Sequence, residues 1–286
     1  MFRADSCEAL MKVRALSIVS IAFLFFQFAP AWAQSYQSEM DLGVAAYRNS
    51  HYQEAMQNFR KAADLDPSQM NAHLYLATAC VSQYIPGVDS PENKQFADDA
   101  IEQYRIVLDS DTREQQRINS AKGIGYLYLN MKNWDEAKKY YRIASDMDPN
   151  DPENFYSLGV IDWTVCYSAR MEARAQLKLR PEEHLDPNQP EQRKICDELQ
   201  AKNSSSIDDG ISNLKKAIDL CPDYDDAMAY INLMYRERAD VECYDAAARE
   251  RDLTTADEWV DKTLATKKAK AKKADQPMDA TAPSPQ

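Results

Sequence analysis

The sequence predicts an all-α fold assembled from repeated helical hairpins, and three observations carry that prediction. Glycine is scarce, with only six in 286 residues, which disfavours turn-dense β folds and Gly-rich nucleotide loops. A phrase is written twice: YQEAMQNFRKAADLDP from Tyr52 to Pro67, and WDEAKKYYRIASDMDP from Trp134 to Pro149, with seven identical positions. Around each copy the same residue types return at fixed spacing: an aliphatic–Gly pair, then Ala, an aromatic, Ala and Pro.

In the first copy these residues are Leu42, Gly43, Ala55, Phe59, Ala62 and Pro67; in another they are Ile124, Gly125, Ala137, Tyr141, Ala144 and Pro149. A copy starting at Pro152 supplies Leu158 and Gly159, and its second half resumes as Gly210, Leu214, Ala217 and Pro222. Weaker copies read Leu76, Ala77, Ala100, Tyr104 and Val107, and then Ile231, Asn232, Ala256 and Val260. A Gly inside a helix costs about 1 kcal/mol relative to Ala. Its recurrence at one register therefore marks helices that approach too closely for a side chain, with the Ala residues facing it and the aromatic filling the space beside them. Asp66-Pro67 and Asp148-Pro149 stop helices, because the residue before Pro is pushed out of the α region. Asp151-Pro152 reads as an N-cap followed by Pro at the first helical position.

This register resembles the tetratricopeptide repeat, a helix–turn–helix unit of about 34 residues. The resemblance covers nearly all of residues 36–266 and implies a right-handed superhelical solenoid of about five repeats. The expected units are 36–69, 70–114, 118–151, 152–224 and a degenerate 225–270. Their helices fall near 36–49 and 53–65, 70–83 and 96–109, 118–131 and 135–147, 152–180 and 207–220, then 225–238 and 253–268. Two units are interrupted between their helices. The second carries an 11-residue surplus around QYIPGVDSPEN, and the fourth a 39-residue insertion in which YSARMEARAQLKLR prolongs the first helix and EQRKICDELQAKN returns as a helix at 190–202.

The N-terminus reads as a signal peptide, residues 1–33, with the true start possible at Met11. MKVR is basic, an apolar run follows, and AWA at Ala31–Ala33 fits a small-x-small cleavage site. The competing reading is an uncleaved anchor, although the run is shorter than the roughly 20 residues a spanning helix needs. Export, periplasmic or secreted, follows from the first reading. The chain has a formal net charge of −12, which repels phosphate backbones and disfavours nucleic acid as a partner. The one basic cluster, Lys267–Lys273, adjoins a segment at 271–286 that reads as a disordered tail.

Catalytic chemistry lacks candidates. The three histidines, His51, His73 and His184, have no metal-ligand spacing, and no nucleophile elbow or phosphate loop is present. No cofactor, metal or catalytic residue is expected. The sequence reads as a non-enzymatic scaffold for a protein or peptide partner in cell-envelope assembly or organisation; the alternative is a small-molecule or catalytic site built around the insertion at 165–206. Groove-facing positions carried over from the resembling repeats include Tyr47, Asn119, Lys122, Tyr126, Asn130, Tyr156 and Trp163. Met40 and Val44 stand where members that clamp a terminal carboxylate have Lys and Asn, so the resemblance does not carry that activity. Among the cysteines, Cys80 and Cys166 fall on packed helix faces. Cys196, in the insertion, and Cys243, after the fifth unit's first helix, fall on one edge of the array and form the candidate disulfide.

Overall fold

Apolar residues at helical spacing, punctuated by Asp-Pro stops, produce ten helices among the described residues and no strand. The computed structural model describes residues 31–110, 112–180 and 183–274. The leader expected at 1–33 and the tail expected at 271–286 therefore fall almost wholly outside them. The chain divides into two compact units, Met1–Ser110 and Asp111–Gln286. The first contains α1 (Ala31–Arg48), α2 (Tyr52–Leu65), α3 (Met70–Gln83) and α4 (Pro91–Leu108). The second contains α5 (Glu114–Asn130), α6 (Trp134–Met147), α7 (Pro152–Gln176), α8 (Pro190–Leu220), α9 (Asp225–Val241) and α10 (Ala246–Ala274).

Within each unit the hairpins close on the small-residue register. A Cβ added to Gly43 would stand 2.5 Å from the Phe59 ring, and one added to Gly125 would stand 2.9 Å from the Tyr141 ring. At Gly159 the added atom would collide with Leu214. The facing alanines Ala55, Ala62, Ala137, Ala144 and Ala217 are fully buried. Helix ends follow the local chemistry. Asp66 and Asp148 leave the helical conformation before their prolines and accept backbone hydrogen bonds from Ser68 and Asn150 at 3.1 and 3.2 Å. The Asp151 side chain caps α7, accepting from Glu153 N at 3.0 Å, with Pro152 at the first helical position.

Several helix boundaries differ from the sequence expectation: α1 and α5 start five and four residues early, and α9 ends three residues late. Helix α4 starts at Pro91, five residues before the expected start, because Ser90 caps it: Asn93 N donates to Ser90 Oγ at 3.1 Å. Asn93 also fixes the preceding loop, donating to the carbonyls of Ile85 and Val88 at 2.9 and 2.8 Å. Helix α7 stops at Gln176, where Lys178 turns the chain with a φ of 55°. The two helices expected at 190–202 and 207–220 are one 31-residue helix, α8. The intervening Asn203-Ser204-Ser205-Ser206 contains no breaker. Asn203 Nδ2 donates to Cys166 O on α7 at 3.3 Å, and Ser204 Oγ donates back to Gln200 O at 2.6 Å. Packing on α7 thus overrides weak local propensity. Helix α10 begins at Ala246 and reaches Ala274, a turn or two beyond expectation at each end.

The insertion packs on its own array. Ala169 and Ala173 of α7 and Leu199 of α8 share one core with Ile207, Ile231 and Met234. Charge then fixes the docking. Arg170 donates from Nε and Nη2 to the Glu237 carboxylate at 2.7 and 2.8 Å, and its Nη1 lies 3.3 Å from Asp240. Arg174 donates to Asp240 at 3.1 Å and to Glu183 O at 2.9 Å. Glu237 is only 2% exposed, so losing its partner would strand a buried charge.

Two outcomes follow. Gly125→Leu should cost about 1–3 kcal/mol by overpacking against Tyr141, read as a lower urea midpoint with unchanged slope. Arg170→Met should cost about 3–5 kcal/mol, whereas Arg170→Met combined with Glu237→Leu should recover most of that loss, because it is breaking a buried pair that is expensive. Equal losses in the single and double variants would remove the charge argument.

Candidate functional site

The aromatic positions in the second unit come from α-helical periodicity. Tyr156 and Trp163 are seven residues apart on α7 and share a face, and Tyr167 lies one turn beyond. Trp163 stacks on Tyr167 with centroids 5.0 Å apart. Tyr230 of α9 meets both neighbours edge-on, 5.3 Å from Trp163 and 5.7 Å from Tyr156. Tyr224, at the N-cap of α9, lies 5.0 Å from Tyr156. These five rings make one strip along α7 and α9. None of them is fully buried, and Tyr167 is 38% exposed.

Polar groups frame the strip at both ends. Tyr224 OH donates to Glu153 at 2.6 Å, and burial together with that bond raises its hydroxyl pKa. The Tyr156 hydroxyl is pushed up to about 12, by burial first and then by Tyr230, Asp226 and Glu153. At the other end the Arg170 guanidinium lies over the Tyr167 ring, 5.2 Å from its centroid. The phenols therefore stay neutral hydrogen-bonding groups near neutral pH.

The other expected groove residues are placed as follows. Asn119, Lys122, Tyr126 and Asn130 lie along α5. Lys122 Nζ donates to Asp151 at 2.8 Å, Gln115 donates to Asn119 at 3.0 Å, and Asn130 donates to Tyr126 O at 2.8 Å. Tyr126 is 40% exposed. Tyr47 belongs to the first unit, where its hydroxyl lies 3.0 Å from Ser82 Oγ on α3 and its ring meets Tyr52 edge-on. The structure thus brings Tyr156 and Trp163 together and leaves Tyr47 in a separate unit. Tyr167, Tyr224 and Tyr230 were not among the expected positions. The signal for Tyr167 was its place four residues after Trp163; nothing comparable marked Tyr224 and Tyr230.

Cys196 of α8 and Cys243 after α9 have Cα atoms 6.5 Å apart with their sulfurs in contact, inside the range of about 4.4–6.8 Å that disulfides span. Cys80 and Cys166 are buried, and burial pushes both thiols up to about 12, far from the thiolate a nucleophile needs. The histidines are engaged separately: His51 with Glu54, His73 with Gln103 and Pro67 O, and His184 with Asp240. Among the described residues no group of three or more His, Cys, Asp or Glu is placed to hold a metal ion.

Sequence models of the tetratricopeptide repeat match residues 40–83 and 123–151. The crystal structure of MamA superposes with a TM-score of 0.54 at 16% identity, over 88% of this chain and 99% of that one. MamA from Desulfovibrio magneticus RS-1 does so at 0.51 and 13%, over 82% and 96%. At such identities the likeness concerns the fold alone. The chain thus contains tetratricopeptide repeats at residues 40–83 and 123–151 and shares the tetratricopeptide fold. Among curated proteins, the type IV pilus assembly protein PilF of Pseudomonas aeruginosa PAO1 is 30% identical over 153 residues. That match takes in 53% of this chain and 54% of the relative, so the chain spans about half the relative's length.

The strip has a stability consequence. Trp163→Ala removes a half-buried ring that contacts two others and should cost about 2 kcal/mol. Tyr126→Ala, at an exposed position, should stay within about 0.5 kcal/mol of the parent. Chemical denaturation of both variants checks the contrast.

Proposed function

We propose that this chain is an exported, non-enzymatic scaffold that holds a protein or peptide partner, in the assembly or organisation of the cell envelope. The observation that carries the reading is the five-ring strip on α7 and α9, amphipathic aromatic surface of the kind that dominates binding hot spots. Lys122 of α5, which donates to Asp151 at the start of α7, adds a polar group near one end. Export rests on the sequence of residues 11–33. Among the described residues no helix is long and apolar enough to cross a membrane. An envelope role is supported by the name of the PilF relative, which concerns pilus assembly. The acidic balance, −12 over the chain, argues against nucleic acid. A catalytic or small-molecule site in the insertion is the weaker reading, because Arg170, Arg174 and Cys196 are already engaged in docking that insertion.

Three experiments test this. A photo-crosslinking residue at Tyr167 should trap a partner in envelope fractions, while one at exposed Ser212 on α8 should not; equal labelling from both positions would remove the groove. For export, the native N-terminus should be Gln34. We further propose that Cys196 and Cys243 are oxidised in that compartment. Denatured without reductant, residues 34–286 should then titrate three thiols, Cys80, Cys166 and Cys221. Titration of five, or a native N-terminus at Met1 or Met11, would argue against the exported form.

A further inference from the structure

The geometry of the strip selects among ligand shapes. Tyr156 and Trp163 stand two helical turns apart on α7, about 10 Å along its axis. Tyr230 rises between them at an interplanar angle of 77° to each, so faces and edges alternate along the strip. A polyproline-II chain rises about 3.1 Å per residue with three residues per turn, so prolines three apart repeat on one face every 9 Å or so. That repeat nearly matches the two-turn spacing of the rings. Pyrrolidine rings are flat and apolar and pack on aromatic faces, and the chain carrying them is already extended, so little ordering entropy is lost on binding. An amphipathic helix instead needs an apolar trough to receive anchors at three- and four-residue spacing, and a row of mutually packed rings offers none.

Charge orients the ligand. At the Tyr156 end stand Glu153, which holds the Tyr224 hydroxyl, and Asp226, whose side chain is 64% exposed with Lys267 at 3.9 Å. At the other end Arg170 lies over Tyr167 but spends its charge on Glu237 and Asp240. The acidic end of the strip is thus complementary to a cation on the ligand.

We infer that the strip binds a proline-rich segment in the polyproline-II conformation, with prolines three residues apart and a basic residue at the end that meets Glu153 and Asp226. This rests on the groove reading above and adds to it the class of ligand.

The test uses the full chain and two labelled peptides of about twelve residues with equal charge, read by fluorescence anisotropy. One repeats Pro-Pro-Leu and ends in Lys-Lys; the other is an Ala/Leu/Lys amphipathic helix former. The proline peptide should bind saturably and about tenfold or more tighter than the helical one. Tyr167→Ala, which removes the most exposed ring of the strip, should weaken it about tenfold while melting like the parent. Glu153→Gln with Asp226→Asn should weaken the Lys-ended peptide and leave an Ala-ended version unchanged. Equal or tighter binding of the helical peptide, absence of saturable proline-peptide binding, or indifference to Tyr167→Ala would overturn the inference. In the first case the groove survives with another ligand class, and crosslinking from the Tyr167 position decides the groove itself independently.

Discussion

Two helices pack backbone to backbone only where one of them presents no side chain and the other presents a surface shaped to the gap. In this chain that condition is met by Gly43 beneath Phe59, Gly125 beneath Tyr141 and Gly159 beneath Leu214. Much else depends on these crossings. They set the depth of each hairpin, so the buried alanines of α2, α6 and α8 have no room to be larger. They also consume the inward faces of the first helices, which leaves the residues a quarter turn away, such as Tyr126 on α5 and Tyr156 and Trp163 on α7, at the edge of the core or beyond it. A partly exposed aromatic beside a packed glycine is then a geometric by-product of the crossing.

Helix α7 is where packing and the aromatic strip meet. Its N-terminal half carries Gly159 in the crossing and Tyr156 and Trp163 on the strip; its C-terminal half carries Arg170 and Arg174, which pair with Glu237 and Asp240 of α9. The two helices that carry the strip are therefore held to each other at two places, by rings near one end and by buried charge near the other. Sliding α9 along α7 would break a two-point Arg170–Glu237 pairing whose acid is almost wholly buried. The insertion thus acts as a buttress that keeps Tyr230 seated between Tyr156 and Trp163. The contact between Cys196 and Cys243 and the Tyr244 hydroxyl on Asp197 at 2.7 Å tie the returning helix α8 to the end of α9.

How much of this could be read from the sequence divides along physical lines. The hairpins were legible because a repeat averages out local ambiguity: Gly, Ala, aromatic and Pro at one register leave little freedom in where a helix starts and stops. The fused helix α8 was not legible, because Asn203 and the serines after it read as a break. There a tertiary hydrogen bond from Asn203 to Cys166 O and a local one from Ser204 Oγ to Gln200 O accompany the continuous helix. At the site, Tyr156 and Trp163 stood out because their register positions face the groove in resembling arrays. Tyr230 lies one residue off that register and Tyr224 lies in a turn. Their membership depends on how α9 is rotated against α7, and that is set by Arg170 and Glu237, sixty-seven residues apart in sequence. Side chains brought together by a long-range charge pair leave no short-range signal.

A strip of partly exposed rings on a protein surface is ordinarily an aggregation hazard, and two features offset it. The rings cover one another: Tyr230 meets both Tyr156 and Trp163, and Trp163 lies against Tyr167, so little apolar face is free at any one position. The chain as a whole carries a formal charge of −12, which favours repulsion between like copies. For the proposed ligand, the same two features would matter again. Because the rings are already packed, a ligand finds them in place and need not order them, which favours affinity from modest contact area. Because the field is negative, an acidic ligand is repelled and a basic one is drawn in. On the proposed function, one arrangement of rings and carboxylates would both limit free apolar surface and favour a basic partner.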